Sequence, residues 1–287
     1  MTTAPTGRVW FITGASRGLG RAFTEAALGA GDRVVAVART LTSLEPLAAE
    51  HGDRLLTLPL DVTDRAAVHA TVEEAVRHFG RLDVVVNNAG FLAMGMIEEF
   101  TEAQARAQME TNFFGALWVS QAVLPHLRAQ RSGHLVQISS IGALGGFPLT
   151  GMYSASKFAL EGMSEALAAE AAAFGVKLTI VEPGGYWTDL YTTGLTTTDP
   201  LDAYAPLRAD LEKRFAEGSV DSMPHLAAEA VMKLVDSPEP PLRLLLGSLV
   251  YDLAFDVSRQ RMETWAAWEE TSRAAEQATE APEGYGS

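Results

Sequence analysis

The sequence predicts a doubly wound α/β fold: one parallel sheet with helices on both faces, followed by a helical extension. Three observations carry that expectation. Short β-branched runs alternate with longer helical patterns along most of the 287 residues. The runs are continuously apolar, as strands covered on both faces are. Glycines and capping residues punctuate the helical patterns.

In order, the strand candidates are VWFIT (9–13), RVVAVA (33–38), LLTLPL (55–60), DVVVN (83–87), HLVQIS (134–139), KLTIV (177–181) and LRLLL (242–246). Helices are expected over 18–30, 42–51, 64–79, 101–130, 152–174 and 224–236. Gly80 and Gly175 suit left-handed C-caps, Thr63 or Asp64 caps the third helix, and Thr101 caps the fourth. Residues 188–223 show no strand pattern and read as a lid or binding loop. Residues 248–278 read as one helix with apolar positions Leu249, Leu253, Val257, Trp265 and Trp268. The expected organisation is therefore a single domain over 1–247, with its lid at 188–223, a helical extension at 248–278 and a disordered tail at 279–287.

Composition narrows the function. A formal net charge of −14 argues against nucleic acid and anionic membranes, which require basic surfaces. There is no cysteine, so neither disulfides nor thiolate metal sites arise. The six histidines (His51, His69, His78, His126, His134, His225) lack ligand spacing, and no metal is expected. The apolar runs are too short to span a membrane, and the first residues lack the pattern of a signal peptide; a cytoplasmic location is the expectation.

The chemistry begins at VWFITGASRGLGRAF, a strand, a glycine turn and a helix. Gly14 allows the tight turn, Gly18 lets backbone approach a pyrophosphate, and Gly20 lets the helix pack closely on the sheet. Ser16, Arg17 and Leu19 complete the turn, and phosphates would sit at the helix N-terminus. The spacing is G-x3-G-x-G. After the second strand, VVAVART offers Ala38 and Arg39 where an acid would accept from a ribose 2′-hydroxyl. With Arg17 also nearby, two guanidinium groups favour a 2′-phosphate, so NADP(H) is expected over NAD(H). Asp61 could accept from the adenine amino group, with Val62 beside it. Asn87 and Asn88 can tie strand ends together while the Ala89–Gly90 backbone faces the cofactor.

Tyr153 and Lys157 lie four apart and share a helix face. A free phenol has a pKa near 10, too high for easy proton transfer at neutral pH, and a neighbouring ammonium is expected to lower it. Ser139 and Ser140 end a strand, at the sheet edge where such folds bind ligands. A hydroxyl there could donate to a substrate carbonyl oxygen. Only one of the two can face it, because adjacent strand residues point oppositely.

With TGASRGLG, DVT, NNAG, Asn112 in METNFFG, QISS, YSASK and PGGYWT in view, the chain resembles the short-chain dehydrogenase/reductase family in its common short form. The likeness covers about residues 8–190. It implies a single-domain Rossmann-like sheet of seven parallel strands in order 3-2-1-4-5-6-7, and a catalytic tetrad of Asn112, Ser140, Tyr153 and Lys157. In that scheme Tyr153 is the general acid/base and Ser140 polarises the carbonyl. Lys157 holds the ribose and tunes Tyr153, while Asn112 helps hold a water linking Lys157 to solvent. Pro183, Gly184 and Thr188 resemble the segment that orients the nicotinamide carboxamide. Family members commonly form dimers or tetramers through helices corresponding to 101–130 and 152–174.

Three segments should surround the reacting carbon and offer Phe91, Leu92, Met94, Met96, Ile141, Leu144, Phe147, Trp187, Leu190 and Tyr191. None of the three contains arginine or lysine. The expected substrate is therefore a mostly apolar, uncharged ketone, aldehyde or secondary alcohol. Competing readings are a non-catalytic NADP(H) sensor or scaffold, which a damaged tetrad would favour, and another enzyme on the same fold, such as an epimerase or dehydratase.

Overall fold

The computed structural model describes residues 7–218, 221–277 and 284. Its elements are β1 (Val9–Thr13), α1 (Gly18–Gly29), β2 (Arg33–Ala38), α2 (Glu45–His51), β3 (Leu55–Pro59), α3 (Arg65–Phe79), β4 (Val84–Asn87) and β5 (Leu92–Met94). Then come α4 (Glu102–Met109), α5 (Gly115–Gln130), β6 (Gly133–Ile138), α6 (Gly151–Ala172), β7 (Val176–Pro183) and β8 (Leu195–Thr197). The chain continues through α7 (Ala205–Gly218), α8 (Pro224–Asp236), β9 (Arg243–Leu246), α9 (Ser248–Ala267) and α10 (Glu269–Ala274).

Seven strands form one sheet in the order β3-β2-β1-β4-β6-β7-β9, and each pairing is parallel. Counting only these strands, this is the predicted order 3-2-1-4-5-6-7. Alternation along β1 shows why the runs are continuously apolar. Trp10 and Ile12 join a core under α1 and α8, while Val9 and Phe11 join another under α3, α5 and α6. The indole of Trp10 is fully buried, and its Nε1 donates to Asp32 Oδ2 at 2.8 Å, which removes the cost of burying that donor. Asp64 caps α3 by accepting from Ala67 N, and Gly80 ends that helix in the left-handed region at φ 79°.

Three sequence expectations require correction. Residues 188–223 do contain a strand: β8 pairs in parallel with β5, Leu92 opposite Leu195 and Met94 opposite Thr197. Each is three residues long, so neither shows a readable period. The helix expected over 101–130 is interrupted by a π-turn at Glu110–Phe114 between α4 and α5. The helix expected over 248–278 breaks at Trp268 into α9 and α10. The tail placed at 279–287 lies outside the described residues, Gly284 excepted.

Candidate active site

Because the seven strands are parallel, the carboxyl ends of β1, β4, β6 and β7 open on one edge. The glycine turn leaves β1 there. Gly14 and Gly18 occupy the left-handed region at φ 64° and 55°, which a side chain would strain. A Cβ on Gly20 would stand 2.3 Å from the Gly14 carbonyl oxygen and 2.5 Å from Asn88 Nδ2, so glycine is required there. Asn88 donates from Nδ2 to Thr13 O at 2.9 Å, and the Asn88 and Ala89 amides both donate to Thr13 Oγ1 at 2.9 Å. Asn87 donates to Ser120 Oγ at 3.1 Å, and its buried Oδ1 has no partner among the described residues. Arg17, the N-cap of α1, makes no side-chain cap bond, so first-turn amides face the turn. Glycine-only backbone beneath open helix amides is what a dinucleotide pyrophosphate needs, and the residues present fit one.

The other predicted cofactor residues fall around this turn. Ser43 Oγ donates to Ser16 O at 2.8 Å, tying the segment after β2 to the turn, with Leu19 half-buried inside it. Arg39 stands exposed just past β2, and exposed Arg17 donates from Nη1 to Thr193 Oγ1 of the excursion. Burial works against ionisation of Asp61, but hydrogen bonds from the Thr63 amide and hydroxyl, with the Arg39 charge, hold its carboxyl below the usual value. Val62 is buried against Gly115. Gly90 is exposed 3.1 Å from Asn112 Oδ1, measured from where its Cβ would be. Pro183 ends β7, the Gly184 amide donates to Leu246 O at 3.1 Å, and Thr188 lies 3.3 Å from a Cβ placed on Gly18.

The two serines part company. Ser140 Oγ accepts from Gly142 N at 3.0 Å and lies in hydrogen-bonding reach of Tyr153. Ser139 Oγ donates the other way, to Glu161 Oε1 at 2.5 Å. Lys157 is buried, donates from Nζ to Ile138 O at 2.8 Å and lies 5.7 Å from the Tyr153 ring centre. The expected depression of the tyrosine does not hold. Burial pushes Tyr153 up to about 12, against the Ser140 hydrogen bond, with Tyr191 adding to the rise. Burial also brings Lys157 down to about 8, opposed by the Glu161 charge. Desolvation is therefore the dominant influence at both groups.

Asn112 sits in the π-turn, 1% exposed. Its Nδ2 donates to Phe91 O and Ser156 Oγ, each at 3.1 Å, and its Oδ1 accepts from Phe91 N at 3.1 Å. It therefore braces the segment after β4 against α6. Gln108 does similar work: it accepts from Ala93 N at 2.8 Å and donates to Phe91 O at 2.9 Å. Sequence reading missed it, because a lone glutamine in a polar helix carries no signal.

The predicted wall segments converge. Gly95 N donates to Leu149 O at 2.8 Å, a Cβ on Gly142 would touch the Tyr153 ring at 3.1 Å, and Met94 belongs to β5 against β8. Ile141 opens a short turn after Ser140; Leu144 O accepts from Arg261 Nη2 of α9 at 2.7 Å; Phe147 lies beside Gly145. Leu190 is half-buried, Tyr191 is 47% exposed and acts electrostatically on Tyr153, and Trp187 is 64% exposed. Sequence reading also missed Glu99. Its side chain is fully enclosed and accepts from Met96 N, Thr198 Oγ1, Leu201 N and Arg208 Nη2. Burial alone would raise its pKa, but these four donors bring it down to about 2. Among the described residues no helix is long and apolar enough to cross a membrane, and no His/Cys/Asp/Glu group could hold a metal ion.

Comparison with known proteins agrees with this geometry. The short chain dehydrogenase family model matches residues 8–197, and the chain belongs to that family of oxidoreductases. It is 40% identical over 272 residues to the oxidoreductase BOA17 of Botryotinia fuckeliana, covering 93% of this chain and 99% of that protein. Among solved structures, a short-chain dehydrogenase from Streptomyces avermitilis superposes with a TM-score of 0.89 at 37% identity, covering 96% of this chain and all of that one. An alcohol dehydrogenase from Thermococcus sibiricus, complexed with 5-hydroxy-NADP, gives a TM-score of 0.70 at 27% identity over 85% of this chain and 97% of that one.

Proposed function

We propose that the protein is an NADP(H)-dependent carbonyl reductase or alcohol dehydrogenase acting on a mostly apolar, uncharged ketone, aldehyde or secondary alcohol. The observation that carries this is the meeting of Ser140, Tyr153 and Lys157 on the sheet edge that also bears the glycine turn. NADP(H), when bound, supplies or accepts the hydride. The α1 amides and the Gly14–Gly20 turn hold the pyrophosphate, Arg17 and Arg39 face the 2′-phosphate, and Pro183, Gly184 and Thr188 orient the nicotinamide end. The NADP-type ligand of the Thermococcus sibiricus relative supports that preference.

Ser140 donates to the substrate carbonyl oxygen as negative charge gathers there. Tyr153 passes its proton to the resulting alkoxide. A phenol whose pKa burial raises to about 12 is protonated at neutral pH, as a proton donor must be. Lys157 holds ribose hydroxyls, and Asn112 keeps the Phe91 backbone in place. The 188–223 lid serves the substrate side of the 1–247 catalytic unit, and the extension from 248 reaches the wall through Arg261 at Leu144 and Val257 at Gly145. The protein works in the cytoplasm as a homodimer or homotetramer.

NADPH and NADH consumption with a panel of bulky ketones, with and without a carboxylate, tests this reading. Faster turnover with NADPH and an uncharged ketone is expected. A preference for NADH overturns the cofactor assignment, and a preference for the carboxylated ketones overturns the substrate class.

A further inference from the structure

One charged cluster behind the site has no part in the chemistry above. Glu161 stands one helical turn after Lys157 on α6, 5% exposed, and faces the sheet. It accepts the Ser139 hydroxyl with Oε1 and the Arg243 guanidinium with Oε2. Arg243, from β9, also donates to Glu182 Oε1 at 2.7 Å and to Glu165 Oε1 at 2.6 Å. Glu182 is fully buried at the end of β7, immediately before Pro183, and its Oε2 has no partner among the described residues. One guanidinium is thus shared by three carboxylates, two of them buried. Buried carboxylates are costly unless paired, and nothing in the packing of β6, β7 and β9 alone calls for them.

The cluster's position gives it a task. Ser139 precedes Ser140, and Ile138, whose carbonyl holds Lys157 Nζ, precedes Ser139. Glu161 therefore grips the same three-residue strand end that presents Ser140 and anchors Lys157. We propose that Glu161, held by Arg243, is a positioning residue for the reaction: it fixes the 138–140 strand end that presents Ser140 and anchors Lys157. This rests on the roles assigned above to Ser140, Tyr153 and Lys157. The charged and titratable groups facing Glu161 are Lys157 and Glu165 on α6, Glu182 on β7 and Arg243 on β9, with Tyr153 beyond Lys157. Burial brings Lys157 down to about 8 even with the opposing carboxylate of Glu161 in place. Without it the lysine loses its proton at lower pH.

The test is the pH profile of kcat/KM for ketone reduction by the whole enzyme. Glu161→Gln is expected to move the high-pH limb down by about one pH unit and to lower kcat about tenfold, with ketone KM within about twofold of the parent. Glu165→Gln removes a partly exposed partner of the same arginine and is expected to leave the profile in place. Glu161→Asp, which keeps the charge, is expected to restore the limb. Ser139→Ala covers the case in which Glu161→Gln does not fold: it removes one grip on the strand end and is expected to lower kcat severalfold with the limb unmoved. A Glu161→Gln profile superimposable on the parent overturns the proposal. So does an equal shift in Glu165→Gln, or an unchanged kcat in Ser139→Ala. Retained turnover in Tyr153→Phe overturns instead the functional reading beneath it, so the two failures are distinguishable.

Discussion

The two halves of the candidate site are built by different means. On the nucleotide side, backbone does the work: glycines at positive φ, a helix start with open amides, and Asn88 stapling β4 to β1. On the substrate side, side chains from distant parts of the chain hold an irregular excursion in place. Glu99 alone receives Thr198, Leu201 and Arg208, about 100 residues further on. The β5–β8 pair and the bond from Gln104 Nε2 to Thr197 O complete that attachment. The first half tolerates almost no change of backbone. The second holds its irregular loop through one enclosed carboxylate.

That contrast can be broken from either side. The largest effect is expected at Gly20. A methyl group there meets backbone and Asn88, which cannot both retreat, so Gly20→Ala is expected to weaken NADPH binding by about 100-fold. Fluorescence titration of NADPH measures this. Unchanged affinity would mean that the turn is not the pyrophosphate cradle.

Glu99→Gln acts on the other half. Losing the charge-assisted bond to Arg208 is expected to raise ketone KM about tenfold while NADPH affinity stays within about twofold. Limited proteolysis within 195–210 should quicken in parallel. The pH dependence has a definite sign. The Glu99 pKa is depressed to about 2 in the fold, so the attachment is at full strength above the ordinary glutamate value near 4.3 and is lost as pH falls toward 2. Equal loss of NADPH affinity in this variant would show that the halves are not separable.

The smallest effect sits in the core, outside both halves. Burial, with Lys177 and Arg8 nearby, brings His134 down to about 4. The Thr179 hydroxyl donates to Pro241 O, so the bond between His134 Nε2 and Thr179 Oγ1 requires the imidazole to donate. Neutral histidine is stable inside and charged histidine is not. Stability is therefore complete above pH 6.5 and falls as pH drops toward 4, by no more than about 1.4 kcal/mol per pH unit from this group. Chemical denaturation from pH 7 to 4 measures the slope, and His134→Gln should flatten it.

The same contrast explains what was legible in the sequence. The seven sheet strands and the glycine turn follow from local runs and spacings, because parallel strands buried on both faces are continuously apolar; the strand order comes only with the family resemblance. Tyr153 and Lys157 were legible as a pair on one helix face and the two serines as a strand end, while the choice of Ser140 came with the family resemblance. Glu99, Gln108, Glu161 and Arg243 were not. Each acts through a partner at least 15 residues away, and none stands in a run that its neighbours mark. The three-residue strands β5 and β8 were invisible for the same reason: only their pairing defines them. The tyrosine's acidity also defeated the sequence reading. Spacing places the ammonium beside the phenol, but only the fold shows how strongly burial weighs on both.

The central claim is that Tyr153 moves the proton while the rest of the site holds cofactor and substrate. Steady-state turnover of Tyr153→Phe, measured beside NADPH affinity, tests it most directly. The account predicts a kcat lowered by at least about 100-fold with NADPH affinity within about twofold of the parent. Retention of more than about a tenth of the parent kcat would contradict it.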